Sequence, residues 1–238
     1  TEIYTLSLHD ALPISLSEHV GRLPLVMVSP DDQALITGGS EGRRRFVDGV
    51  ISQTDARYLD HLIQYGKALE QRNRLLKQMW EDRMWEEAMV SVWDEQLCRH
   101  GEPLGEARKR FVEEFSPLFL HYYQRIAGEA EQVSIAYATD ERPLDLQLRE
   151  SRQADKYTQY TTVGPHKDDL SMSLGGDMSV KRFGSQGQQK SFSLALKLAQ
   201  FQYIEEHSGH KPILLLDDIF DKLDMERVKQ LVALVGSE

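Results

Sequence analysis

Two carboxylates directly follow an apolar run near the end of the sequence. The stretch KPILLLDDIFDKLD places Asp217 and Asp218 after the apolar residues 213–216, which predict a buried strand. Ligands gather at the carboxyl ends of strands in α/β sheets. One carboxylate there can hold Mg²⁺ through water, and a second can orient or deprotonate an attacking water. We therefore expect Asp217 on the metal side and Asp218 as the catalytic residue. A strand running into an acidic turn is the alternative, and a nuclease-type pair lacks further acidic ligands.

A second polar group precedes a long apolar helix. The stretch RFGSQGQQKSFSLALKLAQ begins this helix with a hydroxyl, a glycine and three amides, whereas a plain helix start needs one capping residue. A helix N-terminus has free backbone N–H groups and a partial positive charge, which favour phosphate. Ser185 and Gln188 offer side-chain hydrogen bonds, and Gly187 permits close backbone approach. The stretch predicts either a phosphate site or a simple serine cap, and alone it favours neither.

The elements that must position these residues change along the chain. Apolar residues at helical spacing predict three amphipathic helices over 58–79, 85–93 and 111–126, with a break at 101–105. The basic residues among them, such as Arg72 and Arg74, are expected on a solvated face. In the second half of the chain the helical spacing of apolar residues gives way to strand-like patterns. These predict strands over 133–138, 157–163, 170–174, 178–181 and 213–216.

Turn and linker signals separate these later elements. Gly175-Gly176-Asp177 predicts a hairpin between two of the strands. The helix after Ser185 is expected to reach about residue 206, and a last helix to start near Met225. The region of Gln153 and Asp155 is expected to be at most a short polar linker.

Composition limits the class of protein. The chain has 238 residues, with 28 Lys and Arg against 38 Asp and Glu, and a formal charge of −10. This excess of acid argues against a generic basic nucleic-acid coat, but it permits a local basic patch. The single cysteine fits a reducing compartment. No apolar run approaches the roughly 20 residues of a membrane span. We expect a soluble cytoplasmic protein.

The two chemical motifs occur in a known order. A Ser-x-Gly-Gln helix start, an apolar strand ending in Asp-Asp, and then Asp221-Lys222-Leu223-Asp224 resemble the signature motif, Walker B strand and D-loop of an ABC-type ATPase head. Five separated segments resemble the RecF family, in the same order as in that family. They are PDDQALITGGSEGRRRFVD, YGKALEQRNRLLK, TTVGPHKDDL, SQGQQKSFSLALKLA and LLLDDIFDKLD. The resemblance covers about residues 20–235.

The resemblance implies an α/β fold: part of an ABC/SMC-type P-loop ATPase head with an inserted α-helical lobe. The ATPase lobe would comprise 16–40 and 131–238, and the helical lobe 41–130, while 1–15 are interpreted as a non-native scar. ATP and Mg²⁺ are the implied cofactors. Two heads would sandwich ATP, so that the signature residues of one contact the γ-phosphate bound to the other. The implied signature residues are Ser185, Gln186, Gly187 and Gln188, and the implied D-loop residues are Asp221, Leu223 and Asp224.

The implied function is ATP-dependent binding to DNA in recombinational repair and replication, including the SOS response. The resemblance implies a homodimer that forms with ATP and dissociates after slow hydrolysis. Its implied partners are single-stranded, gapped or junction DNA and the recombination mediators of the same pathway, and no membrane. Arg43, Arg44 and Arg45 are candidates for DNA contacts, with a charged helix entry as the alternative. The basic stretch 71–77 has the same two interpretations.

This sequence departs from the family pattern in three ways. Ser40 replaces a usual proline, and Asp221-Lys222 replaces Ser/Ala-Glu. The sequence also contains no G-x-x-x-x-G-K-[ST] phosphate loop, which this family carries near its N-terminus. We therefore expect a fragment of a weak DNA-dependent ATPase that is inactive alone. A non-catalytic module that binds DNA or protein is the alternative, and a transporter ATPase fits poorly. His166-Lys167-Asp168-Asp169 matches the family without a known mechanism.

Overall fold

The structure, a computed structural model, describes residues 19–217. Its helices are α1 (Ala34–Thr37), α2 (Ser40–Thr54), α3 (Ala56–Glu81), α4 (Glu87–Ala127), α5 (Leu144–Thr158), α6 (Val180–Phe183) and α7 (Gln186–Ser208). Its strands are β1 (Leu25–Val28), β2 (Val133–Ala138), β3 (Asp169–Leu174), β4 (Met178–Ser179) and β5 (Ile213–Leu216). Within this range no helix is long and apolar enough to cross a membrane.

The strands form two separate sheets. β1 and β5 pair in parallel, with Val28 opposite Leu216, so that both strands end at the same edge. β2, β3 and β4 form an antiparallel meander, and the β3–β4 turn is the predicted hairpin, with Gly175 and Gly176 at φ 52° and 97°. Glycine adopts such positive φ values at little cost. The hairpin prediction is therefore confirmed.

The long helix α7 packs against both strand β1 and helix α4. One part of it packs on β1, while aromatic residues along it meet α4. Phe192 lies against Phe119 and Tyr123, and Tyr203 lies edge-on to Phe111. All five side chains are buried, which makes these aromatics core residues.

Helix α4 is continuous where the sequence predicts a break. It runs through Pro103 and Pro117 for 41 residues, so the expected separation at 101–105 is wrong. A proline within a helix removes a hydrogen bond and is normally unfavourable. Here α3 and α7 both pack along α4 and compensate for that loss through tertiary contacts. Gly101 is present because the helix is closely packed at that turn, not because the helix ends.

A Gly101→Ala variant should lower stability, whereas Gly105→Ala, one turn later, should raise it. A Cβ at Gly101 would lie 2.7 Å from Leu144 Cδ2 and 3.0 Å from Tyr65 Cε2, but a Cβ at Gly105 meets nothing within 4 Å. We expect Gly101→Ala to cost about 1–2 kcal/mol after its gain in helix propensity. Gly105→Ala should gain about 0.5–1 kcal/mol. Urea unfolding checks both; shifts of the same sign would contradict the packing argument.

Three predictions about the second half are wrong. Residues 157–163 do not form a strand, since α5 continues to Thr158 and Gln159 ends it at φ 62°. The backbone N–H groups of Thr161 and Thr162 donate instead to the side chains of Asn73 and Asp155, at 2.8 and 2.9 Å. The expected linker at 153–155 is part of α5, and the strand predicted over 178–181 ends at Ser179, because α6 begins at Val180.

The strand β5 is present as predicted, but it is not buried. Ile213 is 50 % exposed and Leu215 is 45 % exposed. Within residues 19–217, β5 has one neighbouring strand, β1, and α7 packs on β1. The apolar run therefore predicts the strand correctly, while its burial would require further packing partners.

Candidate nucleotide site

The N-terminus of α7 has the geometry of a capping box. Ser185 is the N-cap, and its Oγ accepts a hydrogen bond from the backbone N–H of Gln188 at 3.2 Å. In return Gln188 Oε1 accepts from the backbone N–H of Ser185 at 2.9 Å. Such reciprocal bonds satisfy two backbone donors and fix the direction in which the helix begins. The sequence prediction of a helix that starts after Ser185 is confirmed.

Two of the glutamines hold this helix start in place. The amide Nε2 of Gln188 donates to Glu131 Oε1 at 3.1 Å, and Glu131 also accepts from the hydroxyl of Tyr123. Gln189 Nε2 donates to the carbonyl of Gly184 at 3.2 Å. The helix start thus has more amides than a cap requires because two of them have structural partners. Gln188 bonds to Glu131, which precedes β2, and Gln189 bonds to the turn before the helix.

Donors remain available at the same helix start. Among residues 19–217, the backbone N–H groups of Gln186 and Gly187 have no hydrogen-bond acceptor. The hydroxyl of Ser185 accepts through its oxygen, so its own proton remains free to donate. Ser185 and Gln186 are both exposed. These three donors can meet one anionic oxygen group that approaches from solvent.

The second predicted element lies at the edge where β1 and β5 end. The backbone N–H of Asp217 donates to the carbonyl of Val28 at 2.9 Å, which extends the parallel pairing by one residue. The carboxylate of Asp217 is exposed and has no hydrogen-bond or ion-pair partner within residues 19–217. A hard, unpaired carboxylate at a strand end fits water-mediated Mg²⁺ binding. Asp218 and the D-loop residues Asp221, Leu223 and Asp224 lie outside the described residues.

The structure does not bring the two elements together. Lys197 of α7 forms an ion pair with Asp32, at 3.0 Å, just after β1, which places this turn of α7 beside the strand ends. Gln186 precedes Lys197 by eleven residues, or about 16 Å at the 1.5 Å rise of an α-helix. The free donors of α7 are therefore about three helical turns away from the turn that contacts Asp32.

The segment 164–169 acquires a structural role that the sequence does not reveal. His166 Nε2 contacts the carbonyl of Thr161 at 3.0 Å, and its Nδ1 contacts the hydroxyl of Tyr65 at 2.7 Å. A carbonyl can only accept, so Nε2 carries the proton and Nδ1 accepts from Tyr65. Burial lowers the pKa of His166 to about 4, and Lys167 adds to this shift. His166 is therefore neutral at pH 7 and connects α3 to this segment.

The same segment also connects to α2 and α4. Arg108, which is buried on α4, donates to the carbonyl of Pro165 at 2.7 Å and to Asp48 of α2 at 3.0 Å. Buried Asp168 accepts from Thr139 at 2.8 Å and from the hydroxyl of Tyr137 on β2. The sequence signal was the run of Gly, Pro, His and acids before a strand, whose partners lie too far along the chain to be inferred.

The three consecutive arginines of α2 occupy different environments. Arg43 forms a bidentate pair with Asp169 at 2.7 and 2.8 Å, and Arg44 donates to the carbonyl of Asp168 at 2.6 Å. Arg45 is exposed and pairs with Glu41 one turn earlier. Two of the three are thus bound to the segment 164–169. Their DNA contact stays a prediction, and Arg45 is the member placed on the surface.

Arg72 contradicts the expectation of a solvated face on α3. It is fully buried and donates to Asp94 at 2.7 Å, Asp155 at 2.7 Å and Thr161 at 2.8 Å. Arg74, two residues later, is exposed and pairs with Glu70, as the sequence predicts. Arg72 therefore holds α3, α4, α5 and the following loop together, and it is not available for DNA.

Comparison with known proteins supplies relatives over nearly the whole chain. No protein-family model matches it. It is 51 % identical over 223 residues to the DNA replication and repair protein RecF of Parabacteroides distasonis, and 49 % identical over 224 residues to that of Flavobacterium johnsoniae. Each match covers 93 % of this chain but 60 % and 62 % of the relative. The chain thus spans about three fifths of the length of these relatives.

Solved structures agree with these relatives. The recombination mediator protein RecF of the RecFOR pathway matches in its ATPrS form with a TM-score of 0.86, and in its ATP form with 0.84. Both are 31 % identical; the first covers 94 % of this chain and 62 % of that one. The fold defines a class, namely part of an ABC/SMC-type ATPase head joined to a helical lobe. Within that class, the chain belongs to the RecF family.

Proposed function

We propose that the protein of which this sequence is part is a RecF-like, ATP-dependent DNA-binding protein of repair and replication. The observation that carries the proposal is the set of free donors at the start of α7, held in a rigid capping box and open to solvent. These donors match a phosphate group in charge and geometry. The similarity to RecF, which is solved in ATP and ATPrS forms, supports ATP as the source of that phosphate.

The separation of the two elements favours a nucleotide shared between two heads. The donors of Ser185, Gln186 and Gly187 lie about 16 Å along α7 from Lys197, which pairs with Asp32 just after β1. A single triphosphate bound near the strand edge of one head is then out of reach of the same head's helix start. A second head, turned to face the first, brings its own helix start to that triphosphate. We infer that ATP is sandwiched in a homodimer.

Each candidate residue then has a defined task. Ser185, Gln186, Gly187 and Gln188 form the signature: the first three donate to the γ-phosphate on the partner head, and Gln188 keeps the cap rigid. Asp217 holds Mg²⁺ through water, and the ion neutralises phosphate charge when it is bound. Asp218 orients and deprotonates the attacking water. The D-loop residues Asp221, Leu223 and Asp224 are assigned to the same interface by resemblance.

The proposed partners follow from the same similarity. The solved relatives are described as recombination mediators of the RecFOR pathway, which supports mediator proteins of that pathway as partners. DNA binding is proposed for the complete protein, with single-stranded, gapped or junction DNA as substrates. The alternative of a non-catalytic interaction module is not favoured, because the matched RecF structures include ATP-bound forms.

A Ser185→Arg variant of the full-length protein tests the shared site. The larger cation fills the space in front of the helix start, so ATP-dependent dimerisation should fall at least tenfold while ATP binding by the monomer stays unchanged. Analytical ultracentrifugation with and without ATP measures the first, and equilibrium dialysis the second. Gln202→Arg, near the other end of α7, adds the same charge and should dimerise normally. Normal dimerisation of Ser185→Arg would reject the sandwich.

A further inference from the structure

The end of α3 carries a surface feature that the proposed nucleotide chemistry does not use. The backbone N–H of Met84 donates to the carbonyl of Met79 at 3.1 Å, and that of Arg83 to Trp80 at 3.3 Å. These two bonds define a Schellman motif, in which the residue after the cap adopts a left-handed conformation. That residue is Arg83, at φ 54°, where glycine is normally favoured. An arginine thus occupies a position whose left-handed backbone conformation is unfavourable for residues with a side chain.

Arg83 lines a cavity of about 420 Å³. We call this cavity the α3 slot; its walls are Met79, Trp80, Arg83, Met84 and Lys156. Met79 is buried and forms an apolar wall, while Trp80 is 45 % exposed and Met84 is 58 % exposed. Methionine side chains adapt to apolar guests of different shapes. The slot is large enough for one aromatic or branched aliphatic side chain.

Helix α5 completes the slot from the other side. Tyr157, which is 78 % exposed, lies edge-on to Trp80 with 6.3 Å between the ring centroids. Lys156, which lines the slot, places its Nζ 5.1 Å from the ring centroid of Trp85 in a cation–π contact. Exposed aromatic and methionine side chains beside cations are typical of the energetic centre of protein interfaces.

The charge of the slot indicates the kind of partner. Arg83 and Lys156 have no ion-pair partner within residues 19–217, and no acidic residue lines the slot. This is unusual in a chain with a net charge of −10. Glu81 and Asp82 precede Arg83 in sequence but do not form a wall of the slot. The five walls carry no side-chain oxygen that could accept a hydrogen bond, so the amino and imino groups of a nucleobase would stay unpaired in the slot, which makes a nucleic-acid strand the poorer match.

We propose that the α3 slot docks an acidic peptide segment of a partner protein. One aromatic or aliphatic side chain of that segment enters between Met79, Trp80 and Met84. Flanking carboxylates pair with Arg83 and Lys156, which form no ion pair within residues 19–217. The proposal depends only on this surface, so it stands independently of the nucleotide chemistry proposed above.

The experiment uses the full chain and a fluorescein-labelled peptide, Glu-Asp-Phe-Asp-Glu, followed by fluorescence anisotropy. Arg83→Gly is the decisive variant because it removes the cation and relieves the left-handed strain at once. We expect its affinity to fall tenfold or more while its thermal midpoint stays level or rises. Trp80→Ala should lose at least as much affinity, and the exposed Arg74→Gln, which removes one charge elsewhere on α3, should bind like the parent.

Altered peptides and an oligonucleotide distinguish an acidic peptide from other occupants of the α3 slot. Replacing the peptide's phenylalanine by alanine, or its acids by lysines, should abolish saturable binding. Labelled oligothymidylate of similar length is expected to bind without sensitivity to Arg83→Gly. The proposal is overturned if the acidic peptide does not bind saturably, if Arg83→Gly binds it as tightly as the parent, or if oligothymidylate alone shows the dependence on Arg83 and Trp80.

Discussion

An Arg72→Met substitution should lower the free energy of unfolding by roughly 3–5 kcal/mol, the cost of removing one partner from a buried ion pair. Arg72 is fully buried, and it is bonded to Asp94, Asp155 and Thr161. Methionine has a similar volume, so the packing changes little. The loss of stability therefore reports the removal of the positive charge and its hydrogen bonds. Asp155 is fully buried, and without Arg72 its carboxylate has no cation within residues 19–217. Urea unfolding at neutral pH makes the measurement.

Two further variants make this result specific. Arg74→Met removes an exposed arginine from the same helix and should change stability by no more than about 0.5 kcal/mol. The double variant Arg72→Met with Asp155→Asn should recover part of the loss, because the isolated charge is gone. A parent-like midpoint for Arg72→Met, or equal losses at Arg72 and Arg74, would show that the network does not stabilise the fold.

The contrast between Arg72 and Arg74 shows where sequence analysis stops. Both are arginines two residues apart on one amphipathic helix, and both were expected in solvent. The environment of Arg72 depends on Asp94 and Asp155, which are 22 and 83 residues further along the chain. No local pattern encodes such a pairing. The same holds for His166, whose contact with Tyr65 joins residues that are 101 positions apart.

Elements with a local physical cause were predicted correctly. Ser185 with Gln188 three residues later specifies a capping box, and Gly175-Gly176 specifies the turn between β3 and β4. The errors arose where tertiary packing overrides a local signal. Pro103 predicts a helix break, but α4 continues because it is packed on two sides. Residues 157–163 have strand-like composition, yet the backbone N–H groups of Thr161 and Thr162 donate to side chains of α3 and α5 instead of to a neighbouring strand.

The candidate site, like the fold, could be predicted from the sequence only in part. The signature was predicted from the type and order of its residues, and the structure adds which donors are spent in the cap and which are free. The position of the start of α7 relative to the strand ends could not be obtained from sequence, because it depends on the contact between Lys197 and Asp32, which lie far apart in the chain. That position is the physical argument for our proposal of a nucleotide shared between two heads, in which hydrolysis would depend on the two carboxylates after β5.

An Asp218→Asn substitution in the full-length protein should reduce steady-state ATP turnover by roughly 10²–10⁴-fold, the usual contribution of a positioned general base. Asparagine keeps the size of the side chain but cannot take a proton from the attacking water. ATP and Mg²⁺ should still bind, so the ATP-bound dimer should accumulate and remain longer on DNA. Steady-state hydrolysis and sedimentation with ATP measure the two effects.

Asp217→Asn should fail in a different way, because we propose that its exposed carboxylate at the strand edge holds Mg²⁺. Here Mg²⁺-dependent ATP binding should weaken, and the dimer should not form. Asp177→Asn, in the exposed β3–β4 turn, removes the same charge and should leave both properties unchanged. Hydrolysis by Asp218→Asn at the parent rate would remove Asp218 as the base. Identical behaviour of the Asp217 and Asp218 variants would contradict their separate tasks, since a metal ligand and a base act at different stages of the cycle.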